Sequence, residues 1–141
     1  MTLQHRQQLG FIQAGKERTA VHEMIRLLNI KTSHPDLEVG GLSGGNQQKV
    51  VIAKAILTQA DILLLADPTR GIDIGTKSEI YRLLRQLAEE GMAILLYSTE
   101  LSELAGLCDR VAVFKQGRMA ALLEGRSITE ERMIHAALGI A

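Results

Sequence analysis

The chain has 141 residues, a length that fits one domain, and its 16 basic and 16 acidic residues leave a formal net charge of zero. This balance gives no indication of a nucleic-acid or acidic partner. Apolar residues make up 46% of the sequence and aromatic residues only 3%, so the core must be aliphatic. The single cysteine, Cys108, excludes an intrachain disulfide. No apolar stretch reaches the roughly 18 residues of a membrane span, and residues 1–10 lack the pattern of a secretory signal.

The first half of the chain predicts two helices separated by a loop. Residues 1–16 show no clear periodicity, whereas apolar residues from 16 to 28 recur at helical spacing. Residues 31–41 contain Pro35 and a glycine pair, which indicates a loop. A second helix is expected from about residue 46 to 57, and the residues predicted on its buried side are Val50, Val51, Ala53, Ile56 and Leu57.

The second half of the chain predicts strands that alternate with helices. Residues 61–66 (DILLLA) and 92–97 (MAILLY) are short apolar runs, which are typical of strands buried on both faces of a parallel sheet. Between them lies a predicted helix, residues 76–90, which Gly91 ends. The residues expected on the buried stripe of this helix are Ile80, Leu83, Leu84 and Leu87.

The C-terminal part adds a short helix over residues 101–107 and a hairpin formed by residues 111–114 and 119–123. The pattern Ser127–Glu130 resembles a capping box and is expected to open a last helix that runs to about residue 138. The complete order indicates an α/β fold with parallel central strands flanked by helices and a C-terminal hairpin and helix.

The most informative stretch is LSGGNQQK, residues 42–49. Ser43 is a good N-cap residue, and Gly44 and Gly45 leave backbone N–H groups at a helix start without a Cβ to keep a ligand away. The helix dipole adds positive potential there, so the stretch is suited to binding a phosphate. An ordinary capped helix with a flexible approach is the alternative for a bare Ser-Gly-Gly.

The complete octapeptide closely resembles the signature motif of ABC-type ATPases, in the form found in bacterial sugar importers of the ribose, galactose and xylose type. The resemblance extends from about residue 10 to the C-terminus and implies a partial P-loop NTPase (ABC ATPase) fold. Residues 1–45 would be a remnant of the helical subdomain that ends in the signature loop, and residues 46–141 the C-terminal part of the RecA-like core. The family's sheet takes further strands from an upstream segment, so the resemblance also implies strand faces or edges that this chain leaves open.

The resemblance assigns nucleotide contacts to two segments. In the family, the signature serine and glycines contact the γ-phosphate of an ATP held by the opposite nucleotide-binding domain, so Ser43, Gly44, Gly45 and the adjacent Gln47 are assigned to binding. The segment TRGID resembles the D-loop region, whose aspartate faces the partner domain, and Asp73 matches that aspartate. A plain turn before a helix is the alternative for Asp73.

Residues 10–17 nearly match a phosphate-binding P-loop. GFIQAGKE fits G-x-x-x-x-G-K but has Glu17 where the Mg²⁺-ligating Ser or Thr belongs. No apolar strand precedes it, and only 25 residues separate Lys16 from Leu42. ABC domains place a much larger segment between P-loop and signature, so we expect a helix start here and not a phosphate loop.

Asp67 and Thr99 follow the two predicted parallel strands, at the edge where such sheets carry their sites. In the family the first strand ends in Asp-Glu-Pro, where the Asp orders Mg²⁺ and the Glu positions or deprotonates the attacking water. Here Ala66 has no oxygen for a metal, and Asp67 is one methylene shorter than Glu. Thr99 occupies the switch-histidine position, as in a variant common in the sugar importers' C-terminal domains. We predict a weakened catalytic role for Asp67 at the glutamate position and a role for Thr99 at the switch position, without a metal ligand; a turn-forming Asp67 before Pro68 is the alternative.

The resemblance therefore implies a fragment of the ATP-binding subunit of an ABC-type sugar importer, which supplies the signature that closes on ATP held by a partner nucleotide-binding domain. The expected cofactor is ATP with Mg²⁺, bound only in a complete two-domain assembly. The expected partners are the domain that supplies the P-loop in trans and a membrane permease subunit. The subunit would be cytoplasmic and peripheral on the inner face of the membrane, without inserting into it and without binding nucleic acid. The family hydrolyses ATP, but the chain alone is expected to be inactive.

Two other functions stay open. The chain could be a truncated, non-catalytic interaction module that docks on a complete ABC ATPase. It could also belong with the ABC-type ATPases of DNA repair or translation, which share LSGG. A basic stripe would be expected in that case, and the neutral charge together with the NQQK, RGID and STEL segments argues against it.

Overall fold

The computed structural model of the protein describes residues 7–8, 11–12 and 14–140. The chain divides into two compact units. The first unit comprises Met1–Leu63 and Thr69–Ile94, and the second comprises Leu64–Pro68 and Leu95–Ala141.

From residue 14 onwards the helices and strands follow the predicted order. In chain order the elements are β1 (Gln7–Gln8), β2 (Phe11–Ile12), α1 (Ala14–Leu27), a 3₁₀ turn (Val39–Gly41), α2 (Gly44–Ile56), β3 (Ile62–Ala66), α3 (Ile74–Glu89), β4 (Ala93–Tyr97), α4 (Leu101–Leu107), β5 (Arg110–Lys115), β6 (Arg118–Glu124), a 3₁₀ turn (Gly125–Ser127) and α5 (Glu130–Leu138). The antiparallel pair β1 and β2 lies in the segment without a clear sequence period. No helix within the described residues is long and apolar enough to cross a membrane.

Helices α2 and α3 both begin two residues earlier than the apolar pattern predicts. The residues before them, Ser43 and Asp73, have extended backbone conformations and occupy the N-cap positions. The apolar residues that define a helical pattern come later in each sequence, so the pattern could not detect the first turn.

Strands β3 and β4 are neighbours and run in the same direction. At their beginning the Ala93 amide donates to the Asp61 carbonyl at 3.0 Å, and at their end the Asp67 amide donates to the Tyr97 carbonyl at 2.8 Å. Start pairs with start and end with end, which confirms the predicted parallel arrangement.

One side of each parallel strand is open. Exposed side chains alternate with buried or half-buried ones along both strands, and Leu64 and Leu95 are 69% and 66% exposed. The prediction of strands buried on both faces is therefore wrong for the described chain, because its residues cover only one side of each strand. The expectation of open strand faces, which came from the resemblance, is confirmed. Ile62 and Tyr97 are also exposed.

The second unit has its own aliphatic core beneath the β5–β6 hairpin. The buried members are Val111, Val113, Ile128 and Met133, and Leu101, Leu104 and Cys108 pack against them. The hairpin turns at Gln116 and Gly117, both with positive φ. Two successive positive φ values match the right-handed twist of the strands, so the hairpin that was predicted from Gly117 is confirmed.

The cap of α5 differs from the prediction. Thr129, and not Ser127, is the N-cap, and its hydroxyl oxygen accepts from the Arg132 amide at 3.3 Å. Ser127 instead pairs with Glu124 across the preceding 3₁₀ turn, where its hydroxyl accepts from the Glu124 amide. Either hydroxyl suits a helix start, and the intervening 3₁₀ turn moves the cap two residues along the chain.

The buried side of α2 was predicted correctly at Ala53 but wrongly at Val51. Ile52 and Ala53 are buried, whereas Val51 is 56% exposed. The buried face also includes Gly45 and Lys49. These four positions follow helical spacing, but two of them carry residues that an apolar pattern does not count.

Lys49 is a buried cation in the first unit. Its side chain is only 4% exposed, and its ammonium group pairs with Glu79 of α3. It also donates to the Asn29 carbonyl, just beyond the end of α1, at 3.0 Å. One ammonium group thus joins the end of α1 to α2 and α3. Its hydrogen bond is the main cause of a pKa of Glu79 below the ordinary value.

We predict that Glu79→Gln destabilises the chain more than Lys49→Met does. The first change leaves a buried ammonium without its counter-charge, which costs on the order of 3 kcal/mol, whereas the second leaves a carboxylate that water can reach. Urea unfolding of both variants measures the difference. Equal losses, or a larger loss for Lys49→Met, would contradict this account.

The pair also predicts how stability depends on pH. Because the folded pKa of Glu79 is lowered, its contribution is complete above the ordinary value of 4.5 and is lost as the pH falls through the lowered pKa. The difference in unfolding free energy between the native chain and Glu79→Gln should therefore shrink below that pH. A difference that stays constant with acidification would contradict the pairing.

We also predict that the open strand sides cause self-association of the free chain. Replacing Leu64 and Leu95 together by Gln should increase the monomer fraction in sedimentation. Both side chains are already exposed, so unfolding free energy should change by less than about 0.5 kcal/mol. Leu63→Gln, which alters the buried neighbour, is the matched control and should destabilise the chain without this gain. Unchanged association in the double variant would count against the open side as its cause.

Candidate functional site

The signature loop lies at the exposed start of α2. Ser43 has the backbone conformation of an N-cap, but its side chain does not bond to the helix amides. Its Oγ instead accepts from Asn46 Nδ2 at 2.8 Å, which leaves the hydroxyl hydrogen able to donate elsewhere. The predicted N-cap position is therefore confirmed, and the amides of the first turn receive no cap from Ser43. This arrangement fits an anion at the helix start.

Polar side chains of the next turn form hydrogen bonds with backbone groups in and near the loop. Gln47 Nε2 donates to the Leu42 carbonyl at 2.8 Å, and Asn46 Oδ1 accepts from the Lys31 amide at 2.9 Å. Gln47 was assigned to nucleotide binding from the resemblance. In the structure its amide group holds the backbone of the loop, and a contact with nucleotide stays a prediction.

The two signature glycines have different surroundings. Gly44 is exposed, and a Cβ added there would have open space around it. Gly45 is buried, and an added Cβ would lie 2.6 Å from Thr76 Cγ2 and 2.9 Å from Thr76 Oγ1. Gly44 therefore leaves the backbone accessible to a ligand, whereas Gly45 permits close approach of α2 to α3.

Asp73 is the N-cap of α3. One of its carboxylate oxygens accepts from the Thr76 amide at 2.9 Å and the other from Thr76 Oγ1 at 2.7 Å. The backbone bond and then the side-chain bond from Thr76 keep the pKa of Asp73 below its usual range. The alternative reading of a helix-start residue thus describes the structure, and a contact with a partner domain stays a prediction for this exposed, charged group.

In the second unit the structure brings Asp67 and Thr99 together. Asp67 Oδ1 accepts from the Thr99 amide at 2.7 Å and from Thr99 Oγ1 at 3.0 Å. Asp67 has a φ of 45°, in the left-handed region that Asp tolerates better than most residues. The bend at the end of β3 therefore directs the carboxylate to the end of the neighbouring strand. The proximity follows from the parallel-strand rule, but the catalytic role assigned to the pair stays a prediction.

Sequence reasoning missed a buried polar pair next to Thr99. Ser98 and Glu103 are both buried, and the Ser98 hydroxyl donates to the Glu103 carboxylate. Ser98 Oγ also accepts from the Glu100 amide at 3.0 Å. This pair holds the segment after β4 in place. The sequence contained one signal of this pair: Ser98 at the end of the predicted strand is followed by an acidic residue, Glu103, in the first turn of the predicted short helix.

The near-match to a P-loop does not form a phosphate loop in its described part. Gly15, Lys16 and Glu17 lie in the first turns of α1, as the sequence analysis expected, whereas Gly10 and Gln13 lie outside the described residues. Within the part of the chain that the structure describes, no three His, Cys, Asp or Glu side chains form a group that could hold a metal ion.

The chain has clear relatives in sequence. The ABC transporter family profile matches residues 1–70. The ribose import ATP-binding protein RbsA 1 of Mesorhizobium japonicum is 53% identical over 131 residues, which is 93% of this chain and 25% of that protein. The xylose import ATP-binding protein XylG of Histophilus somni is 50% identical over 122 residues, 86% of this chain and 24% of that protein. The chain thus spans about a quarter of the length of these curated relatives.

Solved structures share the fold. An ATP-binding cassette solved as a dimer in a post-hydrolysis state with ADP and Pi has a TM-score of 0.72 at 24% identity, with 83% of this chain and 50% of that chain covered. A putative metal-chelate type ABC transporter in an inward-facing conformation has a TM-score of 0.78 at 21% identity, with 96% and 53% covered. At these identities the likeness shows the fold alone, which confirms the predicted α/β class. The family profile and the sequence relatives show that this chain belongs to the ATP-binding domains of ABC transporters.

Proposed function

We propose that this chain is part of the ATP-binding component of a sugar importer and that its Ser43–Gly45 loop closes on ATP held by a partner nucleotide-binding domain. The observation that carries this proposal is the exposed start of α2, where Ser43 leaves the first-turn amides uncapped. A loop whose only task was to start a helix would use the serine hydroxyl as the cap. The relatives named for ribose and xylose import support a sugar as the cargo.

The geometry suggests how the loop would act. The Ser43 hydroxyl donates to a phosphate oxygen, and the bare amides and dipole of α2 add positive potential at the same place. Gly44, without a side chain and exposed, lets the backbone approach the nucleotide. The P-loop that holds the ATP and its Mg²⁺ belongs to the partner domain, so this loop acts mainly in the closed state. The dimeric cassette with ADP and Pi supports such an arrangement between two domains.

Asp67 and Thr99 belong to a second, weaker site in this proposal. Asp67 places a carboxylate at the water-activating position. Ala66, however, offers no oxygen to Mg²⁺, and Thr99 has no imidazole ring that could titrate. The pair would align a water molecule at best, and turnover would depend on the site that the signature loop completes. Asp73 would face the partner domain near the signature loop.

The proposed domain division follows the motifs. Residues 1–45 would belong to the helical subdomain and residues 46–141 to the core, and the rest of a cassette would cover the open sides of β3 and β4. The component would work with a membrane permease from the cytoplasmic side. The same open sides also favour the second candidate, a non-catalytic module that docks on another ABC ATPase through this apolar surface.

The first test concerns the loop in an assembled importer. Ser43→Arg or Gly44→Asp should lower ATP turnover at least about tenfold, because a charge-assisted hydrogen bond is worth about 1.5–3 kcal/mol. ATP affinity should stay close to that of the native protein, since the partner's P-loop holds the nucleotide. Both quantities are measured on the same variant. Gly45→Asp is a poor substitute, because its side chain would collide with Thr76.

Ser33→Arg supplies the control for this test. It introduces the same charge and bulk at another exposed serine of the first unit. If Ser33→Arg lowered turnover as much as Ser43→Arg, or if neither variant lowered it, the proposed role of the signature loop would fall.

The second test concerns the chain by itself. We expect no ATP turnover above background from the purified chain, because the proposal places the phosphate loop in the partner domain. Asp67→Asn is the matched control, since Asn also tolerates the left-handed backbone conformation and removes only the charge. Turnover that Asp67→Asn abolishes would show that the chain is an enzyme in its own right and would contradict the proposal.

A further inference from the structure

Thr76 contacts both of the segments that are proposed to face the partner domain. On one side its amide and hydroxyl donate to the two carboxylate oxygens of Asp73. On the other side its Cγ2 and Oγ1 occupy the space where a Cβ on Gly45 would have to lie. The D-loop aspartate and the signature glycine are thus separated by a single side chain, and all three residues belong to the first unit.

The side chain of Thr76 is held in one orientation. Threonine is branched at Cβ and has two accessible rotamers in a helix, and the bond from Oγ1 to Asp73 selects one of them. In that rotamer the methyl group and the hydroxyl oxygen both lie against Gly45. The distance of 2.6 Å to an added Cβ is about 0.8 Å short of ordinary contact at 3.4 Å, so only glycine fits without a shift of the helix.

A second contact fixes the same helix pair one turn further on. Lys49 follows Gly45 by four residues on α2, and Glu79 follows Thr76 by three on α3, so each pair shares a helix face. The Lys49–Glu79 ion pair therefore prevents α2 from rotating away from Thr76. An added Cβ at Gly45 must displace the start of α2, which is the part that carries Ser43.

We propose that Thr76 is a positioning residue, which sets the place of the Ser43–Gly45 loop relative to Asp73. The inference rests on the proposed function of that loop. Asp73 fixes the rotamer of Thr76, and Thr76 fixes the start of α2, so a change at Asp73 is transmitted to the signature loop over two contacts.

The free chain tests the connection without any reaction. Thr76→Val keeps the shape of the side chain but removes its hydroxyl, so an NMR titration should show the pKa of Asp73 rising towards its usual range. The amide resonances of Gly44 and Gly45 should shift in the same variant. Ser78→Ala, which removes a hydroxyl that bonds only to the Ile74 carbonyl in the same helix, should leave both unchanged. A rise in the pKa of Asp73 without any shift at Gly44 and Gly45 would overturn the connection.

The assembled importer tests its consequence. Gly45→Ala should lower kcat about 10- to 100-fold with little change in KM for ATP, because a displacement approaching 1 Å can cost about 100-fold. Thr76→Ala should lower kcat less, since it loosens the loop without displacing it. Thr76→Ala removes the two atoms closest to an added methyl at Gly45 and keeps only the Cβ, 3.1 Å away, so the double variant should have a kcat near that of Thr76→Ala alone.

The outcomes separate this inference from the function on which it rests. If the losses in kcat from Gly45→Ala and Thr76→Ala simply add in the double variant, the positioning role is excluded. A loss of turnover in Ser43→Arg would in that case still show that the signature loop functions. If Ser43→Arg had no effect, the proposed function itself would fail, and the NMR comparison would still decide whether Thr76 connects the two segments. Gly106→Ala, a glycine change with open space in α4, controls for the substitution type and should leave kcat unchanged.

Discussion

The buried ammonium group of Lys49 is the interaction on which the arrangement of the first three helices depends. A cation this deeply buried is tolerated only where oxygen atoms surround it. Glu79 supplies a carboxylate from α3, and Asn29 supplies a carbonyl from the end of α1. If any of the three segments moved, the ammonium group would lose a partner without gaining water. The charge therefore fixes the spacing of helices whose apolar contacts alone would allow sliding.

This constraint reaches the signature loop through helix geometry. Gly45 and Lys49 lie on one face of α2, and Thr76 and Glu79 lie on one face of α3. The ion pair and the close glycine contact are thus successive layers of a single interface, and Ile52 of α2 and Ile80 of α3 are both fully buried. The glycine that permits this approach belongs to the motif proposed to bind phosphate. Substitution of Gly45 alone cannot separate its role in helix packing from its role in the proposed phosphate contact. Substitution of Gly44 tests the phosphate contact, and substitution of Thr76 tests the packing.

The sequence predicted the order of the elements well because long apolar stripes and short apolar runs differ in length and period. It failed where burial does not depend on apolar side chains. The buried face of α2 contains a glycine and a lysine, so counting apolar residues selected Val51 in place of Ile52. The runs of β3 and β4 showed that these strands suit a buried sheet, but no run can show which segment covers each face. Because the strands are parallel, Asp67 and Thr99 were expected at the same edge of the sheet. The left-handed backbone conformation of Asp67 could not be predicted, because it belongs to the bend before Pro68 and no periodic pattern in the sequence marks it.

In the proposed function Thr99 stands where ABC ATPases carry a switch histidine, and the Asp67–Thr99 pair shows what that replacement would change physically. A threonine can hold the carboxylate through its amide and hydroxyl, and both bonds are present. Its charge cannot change near neutral pH, which a histidine in the same place could do. In the proposed importer, positioning would therefore be retained at this strand edge, while proton exchange through the side chain would be lost. Together with Ala66, which cannot help to hold Mg²⁺, this argues that the chemistry of the proposed importer depends on the site completed by the signature loop.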